Sequence, residues 1–344
     1  MPVVRVFVFV LVGLVLGFVP AMGEESADSY ELVAEIRMSE LGDWDDARTI
    51  FRSATTKDGF VYVASRGDVL HVFDCRELGE EHDVTLFDEP IRQIDLDPGN
   101  HNGLLRRGDL LYVYGWSGGQ VFDVQDASTP IAVGTFGRRS EEVFHVASHG
   151  SFLITSGYEK LVVYSLDVHP AYPAVVAEIT MEGGSYAYAS VVVGERLCVS
   201  GFRVRSSGAI SYWLGVWEFA DPARPSLIRI TETANSGYHL AARDGLLLQI
   251  CGGQADLWQV DELEPVLLDS TAVCGRAMAE DGEVVILLGG SLAVEDGGIK
   301  RSCEFDSLDD RSYECFPHLG AADDDLIVLP RSRSVLVLRR EDSQ

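Results

Sequence analysis

The sequence predicts an all-β fold, a seven-bladed β-propeller of four-stranded antiparallel blades. Three observations predict it. A strand, glycine turn, strand, polar turn, strand unit recurs along the chain; its openings fall at a period near 40 residues; and a strand near the N-terminus copies the outer strand of a later unit. Self-similarity at such a period marks architectures in which each unit needs its neighbours to bury its faces.

The unit is clearest in residues 108–136, GDLLYVYGWSGGQVFDVQDASTPIAVGTF. Residues 110–114 and 120–124 are short aliphatic and aromatic runs joined by the Gly-rich segment 115–119, which reads as a β-hairpin. Residues 126–130, DASTP, form a turn, because Asp and Ser side chains bond their own backbone and Pro fixes its φ. Residues 131–136 give a third strand. The same order opens at Gly150, at Gly194 with a longer hairpin loop, and at Gly245; weaker copies open at Gly59, Gly282 and Asp324. These openings lie roughly 37 to 51 residues apart. A further short run precedes the openings, as at residues 144–147, 188–193, 239–242 and 276–279. Four antiparallel strands per unit, set radially, leave only short edges.

Residues 32–38, LVAEIRM, match residues 175–181, VVAEITM, at five of seven positions. The last unit ends at Leu338 without an outer strand of its own. The N-terminal strand is therefore expected beside residues 334–338, closing the ring and covering an otherwise open edge.

Phe122, Val124, Asp126, Pro130 and Gly134 carry a pattern of paired strand residues, a D-x-x-x-P turn and a V-x-G strand, echoed by residues 162–166 with Pro173. In these residues the chain resembles the LVIVD-repeat family of secreted bacterial and archaeal β-propellers. The resemblance implies a propeller outside the cytoplasm and no settled activity.

Residues 1–23 join an early Arg5 to an apolar run, residues 6–19, and a small-x-small close at Ala21, Met22 and Gly23. That reads as a secretory signal cleaved after Gly23, and the run is shorter than the ~20 residues of a spanning helix. Residues 24–344 then form a single propeller domain, since no linker separates any two units. A secreted, periplasmic or cell-envelope location follows, with no stable membrane span after cleavage and a monomer as the expected state. The 54 acidic residues against 27 basic give a formal net charge of −27, which repels polyanions and excludes nucleic acid as a partner.

Six cysteines in an exported chain allow disulfides. Cys303 and Cys315 flank the turn at residues 308–310 and are expected to pair across a hairpin. Cys75, Cys198, Cys251 and Cys274 lie in or beside predicted strands; a bond between Cys251 and Cys274 and buried free thiols are both open. The absence of CxxC argues against thiol redox chemistry and clustered zinc ligands.

Residues 115–119, GWSGG, fit a nucleophile-elbow pattern by letter, yet a strand follows where that motif needs a helix, so a hairpin turn is the reading. Asp95 and Asp97 resemble the start of a calcium loop, but Arg106 stands near the place of its bidentate carboxylate. No cofactor is expected, with calcium at Asp95 and Asp97 as a metal candidate. Aligning the first strands of the units brings Phe144, Tyr188, His239, Arg276 and His318 to one end of a central channel, with His145 adjacent. Imidazoles, an arginine and a tyrosine converging there suit a small anion, a metal or acid–base chemistry, and lone polar residues at strand starts are equally suited to structural roles. His239, His318, Arg276 and Tyr188 are the catalytic candidates; Phe144 and His145 are binding candidates. The loop of the fourth unit adds Arg203, Arg205, Tyr212 and Trp213, residue types that anchor protein interfaces. The expected function is an extracytoplasmic binding scaffold for a protein, peptide or glycan. The alternatives are a hydrolase or lyase at the channel mouth and a structural component of the cell envelope.

Overall fold

The computed structural model describes residues 30–37, 51–78, 85–87, 89–99, 102–137, 141–234, 237–243, 245–251, 254–260, 264–273, 277–281, 284–287, 290–295, 298–303, 318–323, 326–330 and 334–340. Their regular structure is all β, with no helix among them.

In chain order, β1 (Tyr30–Arg37) precedes a group formed by β2 (Phe51–Lys57), β3 (Phe60–Ser65), β4 (Val69–Asp74), an excursion β5 (Thr85–Phe87), and β6 (Arg92–Asp95). The second group is β7 (Gly103–Arg107), β8 (Leu110–Gly115), β9 (Gly118–Asp123) and β10 (Ile131–Phe136). The third is β11 (Val143–His149), β12 (Phe152–Gly157), β13 (Lys160–Ser165) and β14 (Ala174–Thr180). The fourth is β15 (Ser185–Val193), β16 (Arg196–Val204), β17 (Ile210–Glu218) and β18 (Ser226–Thr233). Then come β19 (His239–Arg243), β20 (Leu246–Cys251), β21 (Gln254–Gln259) and β22 (Val266–Ala272), followed by β23 (Ala277–Asp281), β24 (Val284–Leu287), β25 (Gly290–Glu295) and β26 (Gly298–Cys303). The chain ends with β27 (His318–Leu319), β28 (Ala321–Asp323), β29 (Leu326–Pro330) and β30 (Ser334–Arg340).

The second to fifth groups are separate four-stranded antiparallel sheets. Short β27 pairs in parallel with both β23 and β2, and so joins two further four-stranded ladders into a sheet of nine strands. The remaining sheet runs β28-β29-β30-β1-β5. Here β1 is antiparallel to β30, with Leu32 opposite Leu338 and Arg37 opposite Ser334, the placement expected from the LVAEI match. The parallel strand β5, from the first group, lies beyond β1 and covers its outer side.

A shared irregularity explains that match. In β10, β14, β18, β22 and β26 the register slips by one residue, leaving Val133, Val176, Ile228, Leu268 and Ser302 without a direct cross-strand partner. In β1 the same slip falls at Val33, which aligns with Val176 in the two similar sequences. A bulge adds twist to an outer strand. It also lets Val33, Val133, Val176 and Ile228 turn onto the apolar clusters between sheets.

The core lies between adjacent sheets. Val61, Val63 and Phe73 of the first group pack with Ala34, Ile36, Val335 and Val337 of the last. From the opposite face of the same strands, Tyr62, Ala64, Leu70 and Val72 pack with Leu111, Val113 and Phe122 of the second sheet. The polar turns contribute to this contact. At Asp126, His169 and Asp221 a side-chain atom accepts from the backbone N–H two residues on and the carbonyl accepts from the N–H three residues on, with Pro following at the fourth position each time. The preceding sheet then donates into two of these turns, Tyr62 to Ala127 O at 2.8 Å and Tyr112 to Pro170 O at 2.9 Å. Buried Lys57 spans the first and second sheets, donating to Asp109 at 2.5 Å and to Val124 O at 2.7 Å.

Cys75 and Cys198 are buried free thiols, and burial pushes each up to about 12. Cys274 and Cys315 fall outside the described residues, so neither the Cys303–Cys315 nor the Cys251–Cys274 pairing is described.

Gly134 of β10 approaches the next sheet so closely that a Cβ would stand 1.8 Å from the carbonyl oxygen of Ala171. Gly134→Ala is expected to cost about 1–3 kcal/mol by forcing two sheets apart. Phe122→Ala, at a different sheet interface, is expected to cost about 3–5 kcal/mol. Urea denaturation of both variants checks this, and unchanged midpoints would contradict the packing described.

Candidate functional site

The first strand of each group faces its neighbours' first strands: β28 lies beside β23 and β2, and the series continues β2, β7, β11, β15, β19. Three of these strands carry a register slip near their start, whose extra residues are Arg52 in β2, Phe144 in β11 and Tyr188 in β15. Such a slip turns a side chain out of the alternating pattern. It brings Phe144 and Tyr188 from different sheets into ring contact at 5.3 Å.

Four more rings extend that pair. Tyr188 also contacts Phe202 and Tyr238, each at 5.3 Å. Phe202 stacks on Tyr186 at 4.7 Å and 12°, and Tyr186 meets Tyr158 at 4.8 Å. Tyr186 and Phe202 are direct cross-strand partners, while Tyr158 sits in the β12–β13 hairpin and bridges to Tyr186 through backbone. Tyr158 is 41% exposed and the other five rings are half-buried. An uninterrupted run of six partly solvated rings is a surface for ligands with an apolar or cationic face.

One cavity adjoins this run at Tyr158, and a second, which shares Thr180 with it, lies beside the strap at residues 182–185. The strap is tied by Gly184 N–H donating to Glu159 Oε1 at 2.6 Å and Glu159 N–H donating to Ser185 O at 2.8 Å. The first cavity, about 340 Å³, is walled by Glu141, Glu142, Glu159, Lys160 and Tyr158. The second, about 310 Å³, is walled by Met181, Trp213, Trp217, Leu227 and Ile230, with the Arg203–Glu182 ion pair among its lining. Thr180 lines both. Gly215 makes room for the indoles: a Cβ there would lie 2.4 Å from the Trp217 ring and 3.3 Å from that of Trp213.

The sequence-predicted residues divide. Phe144 and Tyr188 stand at the centre of the aromatic run. Arg203 and Trp213 line the second cavity, whereas Arg205 pairs with Glu232 at 2.5 Å on the surface and Tyr212 is half-buried opposite Phe202. His239 is buried, and its predecessor Tyr238 makes the ring contact with Tyr188. Both Tyr238, through its N–H, and His239 face Ile250, so the fifth group reaches the mouth one residue out of phase with the predicted alignment. Arg276 falls outside the described residues, and His318 lies on β27 between β23 and β2. Asp95 is exposed at the end of β6, and Asp97 N–H donates to Gln120 at 2.7 Å. Among the described residues no three His, Cys, Asp or Glu side chains group as metal ligands do. Tyr158, Tyr186, Phe202 and Tyr238 went unread in the sequence. No alternation marks them, because the slip at Tyr188 interrupts the strand's period of two.

His145 accepts from the Ser190 backbone N–H at 3.3 Å through Nδ1. Its enclosure by protein, and secondarily the nearby His239, push its pKa down to about 3. The unfolded chain takes up a proton below about pH 6.5 and the folded chain does not, so this group's contribution is full above that pH and lost as the pH falls toward 3. Allowing for its partial exposure, wild type is expected to lose about 1 kcal/mol more than His145→Gln between about pH 6.5 and pH 5. Denaturant melts at the two pH values measure the difference; equal losses would contradict it.

Similarity to solved structures bears on the fold. The chain is similar to one from a crystal structure of the mitotic checkpoint complex, with a TM-score of 0.60 at 11% identity over 98% of this chain and 99% of that one. It is similar to the computationally designed Ika8 protein, with a TM-score of 0.52 at 11% identity, covering 90% of this chain and all of that one. For BamB from Moraxella catarrhalis the TM-score is 0.50 at 13% identity, covering 84% and 85%. No protein-family model matches the chain, and no curated protein matches it. The architecture is that of β-propeller-like neighbours.

Proposed function

We propose that this chain is a seven-bladed, LVIVD-type β-propeller outside the cytoplasm that serves as a scaffold binding a protein or peptide at the mouth formed by β11, β15 and β19. The observation that carries the reading is the run of six partly solvated aromatic rings from Tyr158 to Tyr238. Dividing the nine-stranded sheet at β27 and assigning β1 to the last group gives seven sets of four strands, which supports the blade count. The shared cluster of the first and last groups supports closure of the ring. The apolar segment at residues 6–19 and the Ala21-Met22-Gly23 close support export. Rigid walls make the mouth suitable for recognition, because side chains held by neighbouring sheets lose little freedom on binding.

Selection of a displayed peptide library on the protein beginning at Glu24 tests the reading. Selected peptides are expected to bind Tyr188→Ala at least about tenfold more weakly and Tyr172→Ala, altered in an exposed ring elsewhere, equally well. Peptides indifferent to Tyr188→Ala would contradict the proposed site.

A further inference from the structure

We infer that the mouth takes a basic segment of polypeptide, with a Lys or Arg side chain in the first cavity, an apolar side chain in the second, and the backbone between them crossing Tyr158 and Tyr186. This rests on the binding role proposed above and adds the chemistry of the partner.

Charge favours a cation in the first cavity. Glu141, Glu142 and Glu159 line it against one ammonium, that of Lys160. Lys160 Nζ lies 3.9 Å from Glu141 and 3.5 Å from Glu178, so its charge is already shared by two carboxylates. Tyr158 lines the cavity and meets the Tyr186 ring at 4.8 Å, so an aromatic face able to hold a guanidinium or ammonium stands beside the carboxylates. The field of the whole chain, −27 in formal charge, draws in a basic segment and repels both an acidic one and a second copy of this chain.

The second cavity asks for a different group. Its walls are chiefly apolar, and its volume, about 310 Å³, is at the low end for ligand pockets, suited to a side chain rather than a folded element. Trp213 is 5% exposed, yet its indole N–H has no acceptor among the described residues. A buried donor left unmatched is costly. A peptide carbonyl entering with the apolar side chain supplies that acceptor. The Thr180 wall common to both cavities sets the spacing of the two anchors at about two to four residues of extended chain, roughly 7 to 13 Å.

Fluorescence polarisation with short labelled Gly/Ser peptides tests the proposal. One carries Trp and Lys about three residues apart, a second carries Trp and Glu, and a third carries Ala and Lys. The Trp/Lys peptide is expected to bind at least about tenfold tighter than either other, with affinity falling as salt rises. Glu142→Gln, on an exposed side chain, is expected to reduce the preference for Lys over Glu while leaving the preference for Trp over Ala. Leu227→Arg, at a position 55% exposed on the cavity wall, is expected to do the reverse. Equal or tighter binding of the Trp/Glu peptide overturns the proposal, as does indifference of the Trp/Lys peptide to Leu227→Arg. A Tyr188-dependent affinity for cellohexaose with none for the Trp/Lys peptide also overturns it, in favour of a glycan. Library peptides that depend on Tyr188 without preferring Lys would sink this assignment and leave the binding role standing; library peptides indifferent to Tyr188 would sink that role as well.

Discussion

Among the described residues, the sheets of the first five groups are each buried on both faces by the sheets beside them, and that single requirement governs the rest of the structure. The middle strands state it residue by residue. In β3, Val61 and Val63 belong to the cluster shared with the last group, while Phe60, Tyr62 and Ala64 belong to the cluster shared with the second sheet. In β13, Leu161 and Val163 face the fourth group and Val162 and Tyr164 face the second. Such strands read as continuous apolar runs, since neither face meets water. A stack of these sheets with free ends would expose one apolar face at each end. The packing of Ala34 and Val337 against Val61 and Val63 covers both the first and the last group at once.

The aromatic mouth follows from the same arrangement. Sheets that pack face to face bring their first strands side by side, and a one-residue slip in two of those strands turns Phe144 and Tyr188 towards each other. Tyr186 and Phe202 need no slip, being cross-strand partners on one sheet. The cavities beside them differ in character because of what the adjoining turns contribute: carboxylates at Glu141, Glu142 and Glu159, and an apolar wall where Gly215 admits two indoles. The aromatic run and its cavities are thus laid on a frame whose stability comes from elsewhere.

Much of the frame was legible in the sequence. The strand at residues 131–136 was read with its observed bounds, and the DASTP turn with its hydrogen-bonding logic, because both depend on local chemistry. The LVAEI match located β1 beside β30, since similar outer strands answer similar bulges and neighbours. Other features left no local mark. The pairings of β5 and β27 are parallel and long-range, and two or three residues carry too little pattern to announce a partner. The slips at Phe144 and Tyr188 change register without changing composition. Tyr238 replaces His239 at the mouth for that reason, since one residue of phase reverses a strand's faces. The second cavity arises between the third and fourth groups and is visible only once those sheets are packed.

Hydrogen exchange followed by mass spectrometry on the native protein tests the central account most directly, by comparing the amides of β1 with those of β29 and β30. If the N-terminal strand completes the last sheet and shares its buried face with the first group, peptides covering Tyr30–Arg37 will be protected to the same degree as those covering Ser334–Arg340, and both will open together as urea is added. Exchange of Tyr30–Arg37 at the rate of a free segment, while Ser334–Arg340 stays protected, would contradict it.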